Sequence, residues 1–296
     1  MRTKKKEKIN LLYIFSIIPL LFFIVILYIY PIIMNLYLSV YSDRTFMGLQ
    51  NYLRILASKE AIYLLNFPHL PYGYFLQNLL WILIHLPITI FGGYIIAYIT
   101  RGIKGGMVVR AIIYTGMLMP IAIVGLTTNI LFQKGIGALP AIFDFLGMKE
   151  LASTWLTQPD LAIFALIIMS IWSWIGFCVV TFSAALEAIP KDYYDAAEVD
   201  GAGPLSKMFR IIFPMVKNVT IVTFIVTLTW EIKLFDLIYI TTRGGPNNTT
   251  NIPTLQIYLY LFKYFNQDMA ATLSIILILL MLPFAIILTK ARWGRS

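Results

Sequence analysis

The sequence is poor in charged residues and almost without cysteine. Only 12% of its 296 residues are Asp, Glu, Lys or Arg, whereas 59% are hydrophobic, and the mean hydropathy is +0.81. This composition excludes an ordinary soluble domain. The single cysteine, Cys178, excludes an intrachain disulfide and a zinc site built on several thiolates. There is no P-loop, no paired metal-ligand spacing and no nucleophile with a suitable base, so no catalytic activity is predicted for the chain.

Long apolar runs are present instead. Because lipid cannot satisfy backbone hydrogen bonds, spanning segments must be helices or closed barrels, and apolar runs of about 20 residues favour helices. We therefore predict an all-α integral membrane protein with six transmembrane helices. The gaps between the runs reach only about 30 to 45 residues, too few for a soluble domain, so any energy source must lie on another chain. The runs are 11–33, 78–99, 111–132, 161–186, 218–240 and 270–289.

The distribution of basic residues predicts the orientation. Fifteen of the 23 Lys and Arg residues lie at the two ends and in the second and fourth connections. The positive-inside rule then makes the ends, residues 1–10 and 292–296, cytoplasmic. The transmembrane domain is predicted to span residues 11–291, with a cytoplasmic loop at 187–217. Membrane topology explains the net charge of +9 better than nucleic-acid binding does, because the charges do not gather on one soluble face.

The fourth connection contains the most informative segment, KDYYDAAEVDGAGPLSKMFRIIFP, residues 191–214. Its spacing resembles the EAA loop of permease subunits in binding-protein-dependent ABC importers. One position departs from that pattern: Asp195 stands where the family most often has Glu. The matching residues are Asp195, Ala196, Ala197, Asp200, Gly201, Ala202, Phe209, Ile212 and Pro214.

Local chemistry predicts that this segment is a helical hairpin. A short helix from Pro190 to Val199 would end at Gly201, and Pro204 would begin a second helix. Small alanines would let another protein approach the backbone closely. The resemblance implies that the loop is a coupling helix seated in a cytoplasmic ATPase, whereas a generic loop would lie against its own helix ends. The predicted ATPase-coupling residues are Tyr194, Asp195, Ala196, Ala197, Asp200, Gly201, Ala202, Phe209 and Pro214.

The segment FDLIYITTRGGPNNTT, residues 235–250, indicates the branch of the family. It resembles the F-D-x-I-Y-x-x-T-x-G-G-P segment in the first permease of maltose and glycerol-phosphate importers, and GLQNY at 48–52 resembles a turn of the same type. Gly-Gly-Pro with two Asn is also a strong turn signal in any protein. We expect a turn at the outer surface, and Gly244, Gly245 and Pro246 are predicted to help dock an extracytoplasmic binding protein.

Three ionisable residues, Glu231, Lys233 and Asp236, lie on the fifth run, where they are costly unless they face a cavity or a partner. Lys233 and Asp236 are predicted to meet on one helical face, and Glu231 is the better candidate for a polar path. Aromatic and polar groups together suit a sugar path. The resemblance adds contact positions on the third and fourth runs, although helix packing explains each position equally well. The predicted path residues are Asn129, Ser173, Trp174, Phe177, Thr227, Trp230, Glu231 and Leu234. His85 is expected to be a packing residue.

The resemblance implies a complete assembly. The chain would pair with a second permease in the plasma membrane, and two cytoplasmic ATPases would bind ATP and Mg²⁺, leaving no cofactor on this chain. An extracytoplasmic binding protein would deliver a sugar or oligosaccharide, with glycerol phosphate as the alternative. A different class, an ion-coupled secondary transporter with Glu231 or Asp236 as the ion site, stays open at this point.

Overall fold

A computed structural model describes residues 11–42, 45–63 and 67–293 of the chain, with side chains from 17 to 287 within those ranges. The predicted N-terminal segment 1–10 lies outside the described residues, as do 294–296 of the predicted C-terminal end. Nearly all of the described regular structure is helical. A two-residue β-hairpin, β1 (Tyr41–Ser42) and β2 (Thr45–Phe46), is the exception among the described residues; it pairs antiparallel with Tyr41 opposite Phe46.

The helices follow the apolar runs, with short helices in the connections. Turns of π-helix continue several of them at Val25–Ile29, Lys207–Ile212 and Leu259–Lys263. The α-helices are α1 (Leu11–Ile24), α2 (Tyr30–Val40), α3 (Gln50–Leu56), α4 (Tyr74–Arg101), α5 (Gly106–Leu118), α6 (Ile121–Leu131), α7 (Ala138–Phe145), α8 (Pro159–Glu187), α9 (Lys191–Val199), α10 (Pro204–Ser206), α11 (Phe213–Met215), α12 (Lys217–Ile232), α13 (Asp236–Thr241), α14 (Pro253–Tyr258) and α15 (Gln267–Trp293).

Four of the helical segments are long and apolar enough to cross a membrane: Ile17–Val40, α4, α8 and Gln267–Ile287. Two bent pairs raise the number to six if each pair is one span. Gly106–Leu118 and Ile121–Leu131 meet at 101°, and Pro204–Met215 meets Lys217–Thr241 at 78°. The described residues thus agree with six spans only when these breaks are counted within spans.

The third predicted run is wrong as a single helix. It divides at Met119, whose backbone is extended with ψ 133°, and Pro120 then caps α6. A residue before proline is driven out of the helical region, and the proline has no amide hydrogen to continue the ladder. An apolar run of spanning length therefore forms two short helices because one proline interrupts it.

The fifth run also departs from its prediction. Helix α12 ends at Ile232 with Lys233 as its cap, and α13 begins at Asp236. Lys233 and Asp236 are both exposed and lie on different helices. The prediction that they meet on one helical face is wrong, because the helix is interrupted between them.

The core is centred on the contact between α4 and α8, which carry its largest fully buried side chains, such as Trp81, Tyr94 and Phe182. The two backbones approach closely at Gly93, where an added Cβ would lie 2.4 Å from the Cβ of Cys178. Small residues permit such packing between membrane helices, where dispersion contacts replace the hydrophobic effect. This close contact aligns the two helices that carry much of the site described below.

The first helical segment is the least packed part of the fold. No residue in the most apolar window of Ile17–Val40 is buried. Its C-terminal part, α2, packs against α15, and Ser39 there accepts a bond at its carbonyl from Thr272. The remainder presents large apolar side chains on all sides.

Candidate functional site

The polar hairpin, residues 191–215, has the local geometry that its sequence predicts. Helix α9 ends at Val199 and is closed by Gly201, whose φ of +71° is left-handed, a region that glycine enters without a Cβ penalty. The amide of Ala202 donates to the carbonyl of Ala197 at 3.0 Å, and that of Gly201 donates to Glu198 at 3.1 Å. These two bonds form a Schellman motif. Pro204 then occupies the first turn of α10, as predicted.

Two bonds hold the polar hairpin together and to the bundle. Lys207 donates to the Glu198 carboxylate, joining its two arms. The Tyr94 hydroxyl on α4 donates to the carbonyl of Met208 at 2.6 Å, and Tyr94 is fully buried. The hydrogen bond from Lys207 lowers the pKa of Glu198 below its ordinary value. The polar hairpin is therefore a braced unit fixed to α4, and neither bond could be read from the spacing.

The predicted coupling residues divide into an exposed and an inward group. Tyr194 is half-buried, with the Arg101 guanidinium 3.9 Å above its ring, and burial raises the pKa of its phenol. Ala197 is buried and Ala202 is half-buried. These three residues pack against their own chain, as expected for a loop that lies against its own helix ends. The exposed ones are Asp195, Ala196, Asp200, Gly201, Phe209 and Pro214.

The tip of the polar hairpin is more apolar than the resemblance suggested. Val199 is 87% exposed and Leu205 is 70% exposed, one on each side of the Gly201 turn. Sequence analysis missed both, although two aliphatic residues flanking a glycine turn in a polar segment were a readable signal. Exposed aliphatic side chains at a turn of this kind are suited to contact another protein.

A second cluster lies where α4, α8 and α12 meet. The Nδ1 atom of His85 lies 2.8 Å from Oε1 of Glu231, and both side chains are fully buried. Asn78, two turns before His85 on the same face of α4, donates to the backbone carbonyl of Glu231 at 3.2 Å. His85 Nε2 and Glu231 Oε2 have no hydrogen-bond partner among the described residues. Glu231, predicted to face a polar path, is here enclosed by its own chain.

An aromatic ladder, the rings of His85, Trp230, Trp174 and Phe177, extends from this pair. The His85 and Trp230 centroids are 5.7 Å apart at 27°, and those of Trp230 and Trp174 are 4.5 Å apart at 20°. Phe177 follows at 5.2 Å. The indole nitrogen of Trp174 donates to the Thr227 hydroxyl at 3.1 Å. The ladder thus runs from a buried end at His85 to half-buried rings on α8.

The structure brings most of the predicted path residues together around this ladder. Trp174, Phe177 and Trp230 are half-buried, whereas Ser173, Thr227, Glu231 and Leu234 are buried. Asn129 stands apart on α6, half-buried, and its amide donates to its own helix at Gly125. His85 is the member that the sequence did not join to the site. The sequence did contain a signal for the His85–Glu231 pair, because two isolated polar residues on apolar runs each need a partner.

The predicted docking segment forms a compact turn, as expected. Gly244 is left-handed at φ +89°, and the hydroxyls of Thr242 and Thr250 lie 2.7 Å apart across the turn. Gln77 on α4 donates to the carbonyl of Asn248 at 2.8 Å. Gly244 is buried, and Gly245 and Pro246 are half-buried. The exposed members of the turn are Arg243, Asn247 and Asn248.

Among the residues that the structure describes, no group of three or more His, Cys, Asp or Glu side chains could hold a metal ion.

Comparison with known proteins accounts for nearly the whole chain. A probable ABC transporter permease protein of Pyrococcus horikoshii is 38% identical over 96% of this chain and 99% of its own length. The trehalose/maltose transport system permease protein of Thermococcus litoralis is 30% identical over 93% and 91%. The osmoprotective compounds uptake permease protein of Synechocystis is 31% identical over 90% and 94%.

The fold has a solved counterpart. A chain in the crystal structure of a bacterial ABC transporter that imports the acidic polysaccharide alginate superposes with a TM-score of 0.76, at 20% identity, covering 97% of this chain and 96% of that one. This likeness confirms the predicted all-α importer permease fold. A family model described as binding-protein-dependent transport system inner membrane component matches residues 89–290. The chain is a multi-pass membrane protein that belongs to the family of inner membrane components of binding-protein-dependent transport systems.

Proposed function

We propose that this chain, together with a second permease subunit, encloses the translocation path for a sugar or oligosaccharide delivered by a solute-binding protein. The observation that carries the proposal is the stacked pair of half-buried indoles, Trp174 and Trp230, with the Thr227 hydroxyl beside them. Aromatic faces pack on the apolar faces of pyranose rings, and nearby polar groups bond to sugar hydroxyls. Trp174 and Trp230 supply the aromatic surface, and Thr227, which is fully buried, holds Trp174 in place.

The names of relatives support the same solute class. One is named for trehalose and maltose, and another, 24% identical, for arabinooligosaccharides. The solved alginate transporter was also obtained with a periplasmic protein bound to an alginate pentasaccharide. Glycerol phosphate would favour cationic side chains at the path. The ring and hydrogen-bond partners of the two indoles include Phe177 and Thr227, which are uncharged and suit a neutral polyol better.

The proposed path residues have two roles. Trp174, Phe177 and Trp230 are half-buried and supply the surface that the solute touches. Of the others, Ser173, Thr227, Glu231 and Leu234 are buried and are proposed to support this surface. Asn129, which stands apart on α6, would reach the path only after the helices have moved.

The polar hairpin is proposed to couple the chain to two cytoplasmic ATPases, which would carry ATP, Mg²⁺ and the hydrolytic chemistry, leaving this chain without catalysis of its own. Its exposed tip, with Val199 and Leu205 beside Gly201, provides apolar contact area next to a bare backbone. ATP binding would close the ATPases and move the hairpin, and α4 and α12 with it, because Tyr94 and the chain itself connect them. Both chain ends then lie in the cytoplasm.

The outer turn at 242–250 lies at the opposite end of the fold in this proposal and contacts the binding protein. Its exposed members, Arg243, Asn247 and Asn248, would make that contact. Gly244, Gly245 and Pro246 would hold the turn in shape rather than supply side chains, because they are buried or half-buried.

The experiment is uptake by the complete importer in proteoliposomes, after a ligand screen of its binding protein. Trp174→Leu and Trp230→Leu are expected to lower sugar uptake on the order of tenfold, because stacking on a sugar contributes about 1 kcal/mol or more per ring. Phe224→Leu is the matched control, since Phe224 is an exposed aromatic on the same helix α12. A binding protein that selects amino acids or metal ions would refute the sugar class, and uptake that persists without the ATPases would refute the importer mechanism.

A further inference from the structure

The enclosure of Glu231 raises the question of what its carboxylate does. Its side chain and that of His85 are both 0% exposed. A solute could not reach the carboxylate in this conformation unless α4 and α12 first separated. An ionisable group held inside a membrane bundle is costly, so its presence indicates a role. In this structure its described side-chain partner is His85, which lies on another helix.

The contacts of His85 connect the buried pair to the accessible surface. One ring nitrogen of His85 bonds to Glu231, and the ring face lies on Trp230, whose backbone neighbours Glu231 on α12. Trp230 in turn stacks on Trp174, and the indole nitrogen of Trp174 donates a hydrogen bond to the Thr227 hydroxyl. The carboxylate therefore fixes the tilt of the imidazole, and the imidazole fixes one face of Trp230. Trp174 also lies against Trp230, with the two ring centroids 4.5 Å apart.

We infer that Glu231 and His85 are positioning residues, which set the orientation of the paired indoles and do not bind solute themselves. The inference rests on the proposed function, because it gives the indole pair the role of a sugar platform. The sequence suggested that Glu231 lines the path, whereas the inferred role is to support the indoles that line it. Both residues act through Trp230.

The conservative variant separates positioning from direct binding. Glu231→Gln keeps an oxygen that accepts a bond from His85, so the imidazole should keep its tilt. Glu231→Leu removes that acceptor and leaves His85 buried without a partner. If the carboxylate bound solute through its charge, both variants would lose uptake alike. If it positions the ladder, the Gln variant should be close to wild type and the Leu variant should not.

The spectroscopic readout requires no solute. Two indoles stacked at 4.5 Å give an exciton couplet in circular dichroism, which can be isolated as the difference between wild type and Trp174→Phe. We expect the couplet to remain in Glu231→Gln and to be lost in Glu231→Leu and His85→Leu. The matched control is Thr223→Val on the same helix, since Thr223 is equally buried and bonds within its own helix.

The measurements use the complete importer with its binding protein in lipid, with trehalose and maltose as the probes for uptake. Uptake should stay within about twofold of wild type in Glu231→Gln and fall on the order of tenfold in the two Leu variants, the effect of losing one buried bond. Because a single Leu variant can fail to fold, the double variant His85→Leu/Glu231→Leu is included. Replacing both partners by apolar groups removes the unpaired atom and favours folding.

The outcomes are distinguishable. If the folded double variant loses both the couplet and sugar uptake, the positioning role is supported. An unchanged couplet in that variant overturns the inference, as does an equal loss of uptake in Glu231→Gln and Glu231→Leu with the couplet intact. Wild-type importer that transports neither disaccharide, while the couplet still depends on Glu231, counts against the sugar assignment and supports the positioning role.

Discussion

Replacing Gly93 by alanine should force α4 and α8 apart. An alanine Cβ at this position would lie 2.4 Å from the Cβ of Cys178, 3.1 Å from its carbonyl carbon and 3.2 Å from the nitrogen of Val179. Carbon atoms in contact are normally about 3.5 to 4.0 Å apart. None of the three atoms lies at the end of a flexible side chain, so no rotamer change can relieve the clash. The two helices must separate by more than about 1 Å at their closest approach.

The expected cost follows from overpacking in a dense core, about 1 to 3 kcal/mol. Because α4 and α8 have the most extensive mutual contact in the fold, the separation disturbs many dispersion contacts at once. The midpoint of thermal unfolding should fall by roughly 2 to 10 °C. The assay is the loss of the monodisperse peak of the full-length protein, within its assembled complex, after heating and size-exclusion chromatography.

The neighbouring glycine provides the control. At Gly92 an added Cβ would meet the terminal Cδ1 of Ile175 at 3.2 Å, an atom that can move with its side chain. Both substitutions gain the same helix propensity, so the difference between them isolates the clash. Cys178→Gly in the Gly93→Ala background should restore part of the lost stability, because it removes the nearest atom. If Gly93→Ala melts no lower than Gly92→Ala, the close approach of the two helices is refuted.

Three further predictions concern the polar hairpin. Gly201→Val should lower ATPase association more than Gly201→Asn, since asparagine tolerates positive φ while the left-handed region costs other residues about 1 to 2 kcal/mol; equal losses would contradict the conformational reason. The bond from Lys207 lowers the pKa of Glu198, so its stabilisation is present above the ordinary value of 4.5 and is lost as pH falls through the lower folded-state pKa. The protection of α9 amides against hydrogen exchange should then fall in acid in the wild type but not in Glu198→Gln. The difference should be small and salt-sensitive because the carboxylate is exposed, and a parallel pH response in the two proteins would count against the bond. Tyr94→Phe removes the bond from the Tyr94 hydroxyl to the Met208 carbonyl, which contributes about 1 kcal/mol, while that carbonyl keeps its bond from the Phe213 amide; the variant should reduce uptake per ATP hydrolysed, and an unchanged ratio would exclude a role in transmission.

Local sequence chemistry predicted the polar hairpin well. The end of α9 at Gly201 and the start of α10 at Pro204 depend on the conformational preferences of single residues, which are the same in any protein. The turn at Gly244 follows for the same reason. Apolar runs located the spanning segments because the lipid requirement acts on each segment separately.

Contacts between distant segments could not be read in the same way. The bond from Tyr94 to Met208 joins residues 114 positions apart, and that from His85 to Glu231 joins residues 146 apart. The sequence grouped Glu231 with Thr227 and Trp230 as path residues, but it could not tell which face of α12 meets α4. The break at Pro120 was readable, yet hydropathy outweighed it because every residue around it is apolar.

Helix α4 is bonded to the polar hairpin through Tyr94 and to α12 through the His85–Glu231 pair. A displacement of the polar hairpin can therefore enter α4 at Tyr94 and leave it at His85, beside the indole pair. The backbone route from the hairpin to α12 instead passes through the 78° bend between Met215 and Lys217. The two hydrogen bonds on α4 thus bypass a joint that could absorb the movement.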